Sequence, residues 1–327
     1  MKNNFEEDDD DKMKKNNINI KQTRISNFVW AVVRWFFLIN IAFIIIYPLM
    51  YMISMAVRSP IDFLDATVVW IPKHFTLDNF KKIIFEAELW NPLLNTFIVT
   101  FFCGIAQLLV TSLTGYGFAR FKFKGCNILF VFVLITIAMP PQMINIPNYL
   151  IMRNLDFYGI IKLIIGTPSP VSLINSPLSF IIPAVLGQGL KSGLFILIFR
   201  QFFLGIPNEL EEAAMIDGCS HLKTFFKIML PNAKTALIIC GTFVASWYWT
   251  DYDGPYLFYT SKRTISMQLI DFNSLIDKYL TLSQQNAYYR IPLQQAACIF
   301  CILPLIILFL FSQKFFAQGI ERSGLVG

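Results

Sequence analysis

Apolar residues gather along the chain into six runs, Trp35 to Met55, Leu93 to Ala119, Ile128 to Ile144, Leu178 to Leu204, Lys234 to Thr250 and Pro292 to Phe316, separated by charged, Pro-rich or Gly-rich connections. Wound as α-helices, runs of about 20 apolar residues match the hydrocarbon thickness of a bilayer. The pattern therefore predicts an all-α integral membrane protein with six transmembrane helices. The first run is too long for a signal-peptide core and has no small-residue cleavage pattern, so it is expected to remain as a membrane helix. Gln188 and Lys191 interrupt the fourth run. A polar group in hydrocarbon is costly unless it faces protein or water, so a start several residues later is the alternative there. The pair Pro140 and Pro141, with Pro147, breaks or ends the third helix.

The polar stretch before the first run carries the acids Glu6 to Asp11 and then Lys12, Lys14 and Lys15. Residues 1–28 are expected to form a disordered tail. With six spans both termini share one side. Placing them in the cytoplasm gives the inner segments 16 of the 27 Lys and Arg and the outer segments 10, with Lys191 inside a span. This bias favours cytoplasmic termini.

Composition narrows the picture. Hydrophobic types make up 55% of the 327 residues and charged types 15%, against roughly 25% charged in ordinary soluble domains. The net charge of +6 lies scattered between apolar runs, which fits membrane topology rather than nucleic-acid binding. Cys298 and Cys301 fall at i, i+3 inside an apolar run without a nearby His, which reads as packing. His74 and His221 fall on opposite sides of the membrane, which leaves no His-based metal site. No phosphate-binding Gly-rich loop with its Lys occurs, so the chain is not expected to hydrolyse ATP in the P-loop manner.

Between the fourth and fifth runs, Ile206 to Pro231 reads as two short helices around a turn. Pro207 suits a first helical position, and Glu209, Glu211 and Glu212 complement the positive end of the helix dipole. Leu210, Ala213, Ala214 and Asp217 follow helical spacing on one face, where the two alanines permit close approach by another surface. Gly218 suits the left-handed residue that ends a helix, and Ser220 can cap the next, whose stripe Leu222, Phe225, Phe226 and Met229 runs until Pro231 stops it.

These residues, Glu212, Ala213 and Ala214, then Gly218, then Ile228, Leu230 and Pro231, resemble the cytoplasmic signature of binding-protein-dependent ABC importer permeases. Asn95–Thr96, Gly115 to Gly125, Arg200 to Phe203, Trp249 to Pro255 and Gly319 to Gly327 are similar to the carbohydrate-type members, including the inner permease of maltose transporters. Two departures stand out: Thr250 and Tyr252 with the extra Asp253 after Trp249, and a long outer link from Ile160 to Pro177.

The resemblance implies a type I ABC importer transmembrane domain over residues 29–318, a coupling segment at 206–231, and a cytoplasmic tail at 319–327. It implies no catalytic residues, no metal and no cofactor of the chain's own, ATP being used by a separate ATPase. The expected partners are a second permease subunit, an ABC ATPase dimer, an extracytoplasmic sugar-binding protein, the sugar and membrane lipid, with the whole set in a bacterial cytoplasmic membrane. Asp217 belongs to the coupling set. Glu212 is expected to pair with a basic group on the ATPase, and Phe225 and Phe226 to anchor the segment to the permease.

For the solute path the candidates are Trp247, Tyr248, Trp249, Asp251, Tyr252 and Asp253, because sugars lay apolar faces on rings and bond hydroxyls to carboxylates. An interfacial aromatic belt explains the same cluster equally well. An ion-coupled secondary transporter is the competing class, but the span centres are nearly free of acids and no internal repeat is evident.

Overall fold

The computed structural model describes residues 3–63, 65, 67–155, 171–277, 280 and 287–324. Part of the long outer link, including Gly166 to Pro170, lies outside the described residues. Helices dominate what is described, and the only extended pairing there is two isolated bridges, Arg58 with Phe75 and Leu155 with Val171.

Helix α1 (Asn3–Ala56) contains the first apolar run. The helical backbone reaches back through the polar segment that composition left without structure. Acids near a helix N-terminus favour helix through its dipole. From Phe28 to Ile53 its apolar side chains are nearly all exposed, and only Ser54, Met55 and Ala56 at its end are buried. A helix apolar all round needs lipid or a partner helix about it.

After α1 comes a cap with a 3₁₀ turn at Pro60–Phe63, helix α2 (Asp78–Lys81) and a π-helical turn at Lys82–Glu86. Buried Arg58 staples it, donating from Nη1 to the Val68 carbonyl (3.2 Å) and from Nη2 to that of Val69 (3.0 Å). The amide of Asn79 donates to the carbonyls of Ala56 (2.8 Å) and Arg58 (3.0 Å). Asp62 accepts the backbone N–H of His74 (2.9 Å) and lies 2.6 Å from its Nδ1.

Helix α3 (Trp90–Arg120) runs through the centre. Its buried Thr111 and Ser112 donate back to carbonyls of their own helix, so neither is left unpaired among apolar neighbours. Gly115 lets the next long helix come close, since a Cβ there would stand 2.7 Å from Phe199 Cβ and 3.0 Å from the Arg200 nitrogen.

The third apolar run does not form one straight span. Helix α4 (Cys126–Ala138) ends at Met139, and α5 (Pro141–Arg153) leaves at 100° to it. Pro140 forces Met139 out of the helical region (ψ 127°), and Pro141, which needs no N–H partner, opens the new helix. The fourth run is also broken, into α6 (Leu178–Val185) and α7 (Ser192–Leu204). Gly187, at φ +77°, closes α6: its N–H bonds to the Ala184 carbonyl and that of Gln188 to Pro183. This pairing satisfies the last carbonyls of a helix without solvent.

The remaining elements are α8 (Glu209–Ile216), α9 (His221–Thr224), α10 (Lys234–Thr250), α11 (Asp253–Phe258), α12 (Ile265–Ile270), α13 (Phe272–Ile276) and α14 (Ala287–Gly324). The last helix carries the sixth apolar run and continues through the first residues of the expected tail. Among the described residues three helices are long and apolar enough to cross a bilayer, within α1, α3 and α14, and three bent pairs bring the total to as many as six. Among the described residues the core has two parts. One gathers Tyr116, Phe195, Phe199, Phe203, Phe225 and Val244 between α3, α7 and α10, and the other joins Ala56, Ile83, Trp249, Phe272 and Ala296 beneath the cap.

Candidate functional site

The segment between α7 and α10 leaves the bundle at 79° and returns at 81°. Its first helix, α8, opens with Glu209, Glu211 and Glu212 in the first turn and closes at Gly218, whose φ is +79°. The Gly218 N–H bonds to Met215 and that of Cys219 to Ala214 (both 3.0 Å), the same closure as at Gly187. Ser220 then caps α9 by accepting the Lys223 N–H (3.4 Å). A π-helical turn at Phe225–Met229 follows, and the helix passes Pro231 to end at Asn232. Pro231 is thus not the stop that sequence suggested. A proline early in a short helical element costs no hydrogen bond, and the chain turns one residue after Asn232.

Glu211 fixes the segment to the bundle. Its side chain is buried, Oε1 accepts the Tyr116 hydroxyl (2.5 Å), and Oε2 lies 3.2 Å from Arg120 Nε. Arg120 also donates to the Ile206 carbonyl (2.6 Å) and to Asn208 Oδ1. An acid buried in this way is held by one charge-assisted hydrogen bond, the stronger kind, and by an ion pair. Around the network, Tyr116 packs its ring against Phe121, Phe203 and Phe225 at centroid distances of 5.7, 5.6 and 5.2 Å. The Gly115 to Gly125 and Arg200 to Phe203 stretches, far apart in sequence, build this socket together.

Sequence spacing placed Leu210, Ala213, Ala214 and Asp217 on one face. The structure divides them: Ala214 is buried with Glu211 against the bundle, while Leu210, Glu212, Ala213, Asp217 and Gly218 are exposed. Phe225 and Met229 are fully buried, whereas Phe226 and Leu222 are 52% and 60% exposed. Phe225 alone of the expected pair anchors the segment. Ile228 and Leu230 are half-buried and Pro231 is exposed. Ile216, 85% exposed beside Glu212 and Asp217, adds to an apolar surface rimmed by acids, the kind that marks a protein contact. The network of Tyr116, Arg120 and Glu211 escaped the sequence reading, which gave Glu211 only a role at the helix dipole. The available signal was the i, i+4 pair of Tyr116 and Arg120 at a span's end, with an acid three residues before a motif alanine.

The aromatic cluster after α10 also divides. Trp249 is buried, with its indole N–H donating to the Cys301 carbonyl (3.0 Å), and belongs to the second part of the core. Tyr248 is buried and its hydroxyl accepts the Leu190 N–H (3.2 Å) at the break before α7. In this conformation both side chains pack and position neighbouring elements. Trp247, Asp251 and Tyr252 are half-buried and Asp253 is exposed. Asp251 Oδ1 accepts the Gly254 N–H (3.4 Å) and its carbonyl accepts the Ser266 hydroxyl (2.5 Å), so it shapes the turn leading into α11.

Comparison with known proteins agrees with this architecture. The family model for the "Binding-protein-dependent transport system inner membrane component" matches residues 90–322. The arabinooligosaccharides transport system permease protein AraQ of Halalkalibacterium halodurans is 30% identical over 290 residues, 88% of this chain and 93% of that protein. The maltodextrin transport system permease protein MdxG of Bacillus subtilis is 28% identical over 296 residues, 90% of this chain and 95% of that one. A bacterial ABC transporter involved in import of the acidic polysaccharide alginate shares the fold, with a TM-score of 0.71 at 21% identity over 89% of this chain and 98% of that one. A multi-span helical chain with a capped helix-turn-helix leaving the bundle between two spans, matched by this family over most of its length, belongs to the binding-protein-dependent transport system inner membrane components, as a permease subunit of the carbohydrate ABC importer type.

Proposed function

We propose that this chain forms one half of the pathway of an ATP-driven importer for a sugar or oligosaccharide. The other half is a second permease subunit, the energy comes from a separate ABC ATPase dimer, and an extracytoplasmic binding protein delivers the solute. The observation that carries the reading is the two-sided segment 206–231. Glu211, Ala214, Phe225 and Met229 tie it to the bundle. Glu212, Ala213, Asp217 and Gly218 stay open. A short element closed at Gly218, capped at Ser220 and locked on one side can pass a rigid-body displacement from an ATPase groove to α3 and α7.

In this reading Ala213 permits close packing on the ATPase, Glu212 pairs with a basic group there, and ATP is bound and used by that partner alone. Both termini and the segment lie in the cytoplasm, the side richer in Lys and Arg. The names of the relatives, which include arabinooligosaccharide and maltodextrin systems, support a carbohydrate cargo.

Gentle detergent extraction from the host's own membranes, followed by mass spectrometry of what stays bound, tests the assembly. An ATPase, a second permease and a binding protein are the expected companions. Recovery of this chain alone, with ATP-independent uptake in liposomes, would overturn the proposal.

A further inference from the structure

The break between α6 and α7 carries a charge that nothing described so far uses. Lys191 sits there in the left-handed conformation (φ 54°), exposed, directly before the N-terminus of α7. Its ammonium lies 4.2 Å from the centroid of the Trp247 ring. Among the described residues no carboxylate pairs with it.

The position is deep. Lys191 precedes the 13 residues of α7. Gln107, which meets the break from α3, stands the same distance before Arg120, and Trp247 the same distance after Lys234. At 1.5 Å per residue each count gives about 20 Å from the cytoplasmic end, well inside a hydrocarbon core of about 30 Å. An exposed lysine at that depth belongs against water or protein rather than lipid.

The surroundings are those of a built site. Gln107 is fully buried, its Nε2 donates to the Leu190 carbonyl (2.6 Å), and its Oε1 has no partner. That oxygen points into the break, because a Cβ on Gly189 would stand 2.4 Å from it. The Tyr248 hydroxyl approaches the same point from α10, at 2.6 Å from that Cβ position. Gln188, next to Gly189, is exposed. Together these are a cation reinforced by the positive end of a 13-residue helix, a free amide and an orphaned acceptor. A carboxylate suits the first and hydroxyls suit the others.

We infer that the break at Gln188–Lys191 is a cargo-contact site of the permease, and that its cargo is a saccharide bearing a carboxylate, of the uronate class. Lys191, held in place by the Trp247 ring, meets the acid group, and the amides beside it meet the hydroxyls. The inference rests on the transport reading above and deepens it from sugar to acidic sugar.

The test uses the whole transporter, with its partner permease and ATPase, in nanodiscs without the binding protein. The probes are a galacturonate trisaccharide and its methyl ester, which has the same hydroxyls without the charge. The trisaccharide should bind, the ester should bind at least tenfold more weakly, Lys191→Gln should weaken the acid at least tenfold without affecting the ester, and Lys191→Arg should retain binding. Equal binding of acid and ester, an effect of Lys191→Gln on both alike, or no binding of the acid would overturn the inference. ATP-driven uptake by the same complex in liposomes, now supplied with its binding protein, is scored separately. If the complex moves a neutral sugar and ignores the acid, only the inference falls. If it moves nothing with ATP, the transport reading falls.

Discussion

Tyr116, one turn before the end of α3, donates its hydroxyl to Glu211 in the first turn of α8, a 2.5 Å bond between residues 95 positions apart. Through it the exposed segment and the central helix become one mechanical body. Arg120 closes the same connection from the other carboxylate oxygen.

Tyr116→Phe keeps the ring in its aromatic socket and removes only the hydroxyl, leaving one oxygen of a buried acid without its donor. The loss should cost about 1–3 kcal/mol. Hydrogen exchange across 206–231 should speed up, and solute-stimulated ATP hydrolysis should fall more than basal hydrolysis. Unchanged exchange in the segment would show that the connection carries no load.

Gly218→Val places a β-branched residue at φ +79° with open space around it, so any harm comes from the backbone alone. A left-handed conformation costs an L-residue roughly 1–2 kcal/mol, and a branched one more. Uptake should be lost while membrane insertion, measured by fractionation, stays normal. Gly218→Asn, which tolerates that conformation, should restore part of the uptake.

Gly115→Leu should act differently, because the space there is closed by Phe199 and Arg200. Overpacking of a well-filled contact costs about 1–3 kcal/mol, so α3 and α7 must separate. The expected outcome is a lower yield of extracted, monodisperse protein, measured by size-exclusion chromatography, and the socket for Glu211 should open with it.

The cap after α1 provides a pH test. Burial raises the Asp62 carboxyl, but bonds from the His74 backbone and ring and attraction to that ring outweigh it, leaving the group below its ordinary value. A depressed carboxylate stabilises above the ordinary carboxylate range, and the gain is lost as pH falls through the folded value. Asp62→Asn should therefore increase proteolysis of the 57–89 cap at neutral pH. The difference from wild type should vanish in acid below the usual carboxylate range.

The apolar runs made α1, α3, α10 and α14 legible because lipid thickness imposes a length that composition reveals. They located the two breaks, at Pro140–Pro141 and at Gln188–Lys191, but not their geometry, the 100° bend after Met139 and the left-handed backbone at Gly187 and Lys191. The segment 206–231 was legible because its corners rest on local chemistry, Gly218 in the left-handed region and Ser220 as a cap. Its inward side was not, since the partners of Glu211 lie on another helix. Trp249 shows the same limit: belt and core call for the same residue, and only the Cys301 carbonyl 52 positions away decides between them.

Helix α7 is bounded at one end by the Lys191 break and at the other by the 79° bend into α8. That makes it a connecting rod about 20 Å long, with a pivot at each end and Gly115 as its bearing. A tilt of about 5° at the pivot next to α8 sweeps the far end through about 2 Å, the size of shift that repacks helix interfaces. The charge at Lys191 therefore rides at the tip of a lever whose handle is the face containing Glu212 and Ala213, and one stroke can reposition it without unwinding a single turn.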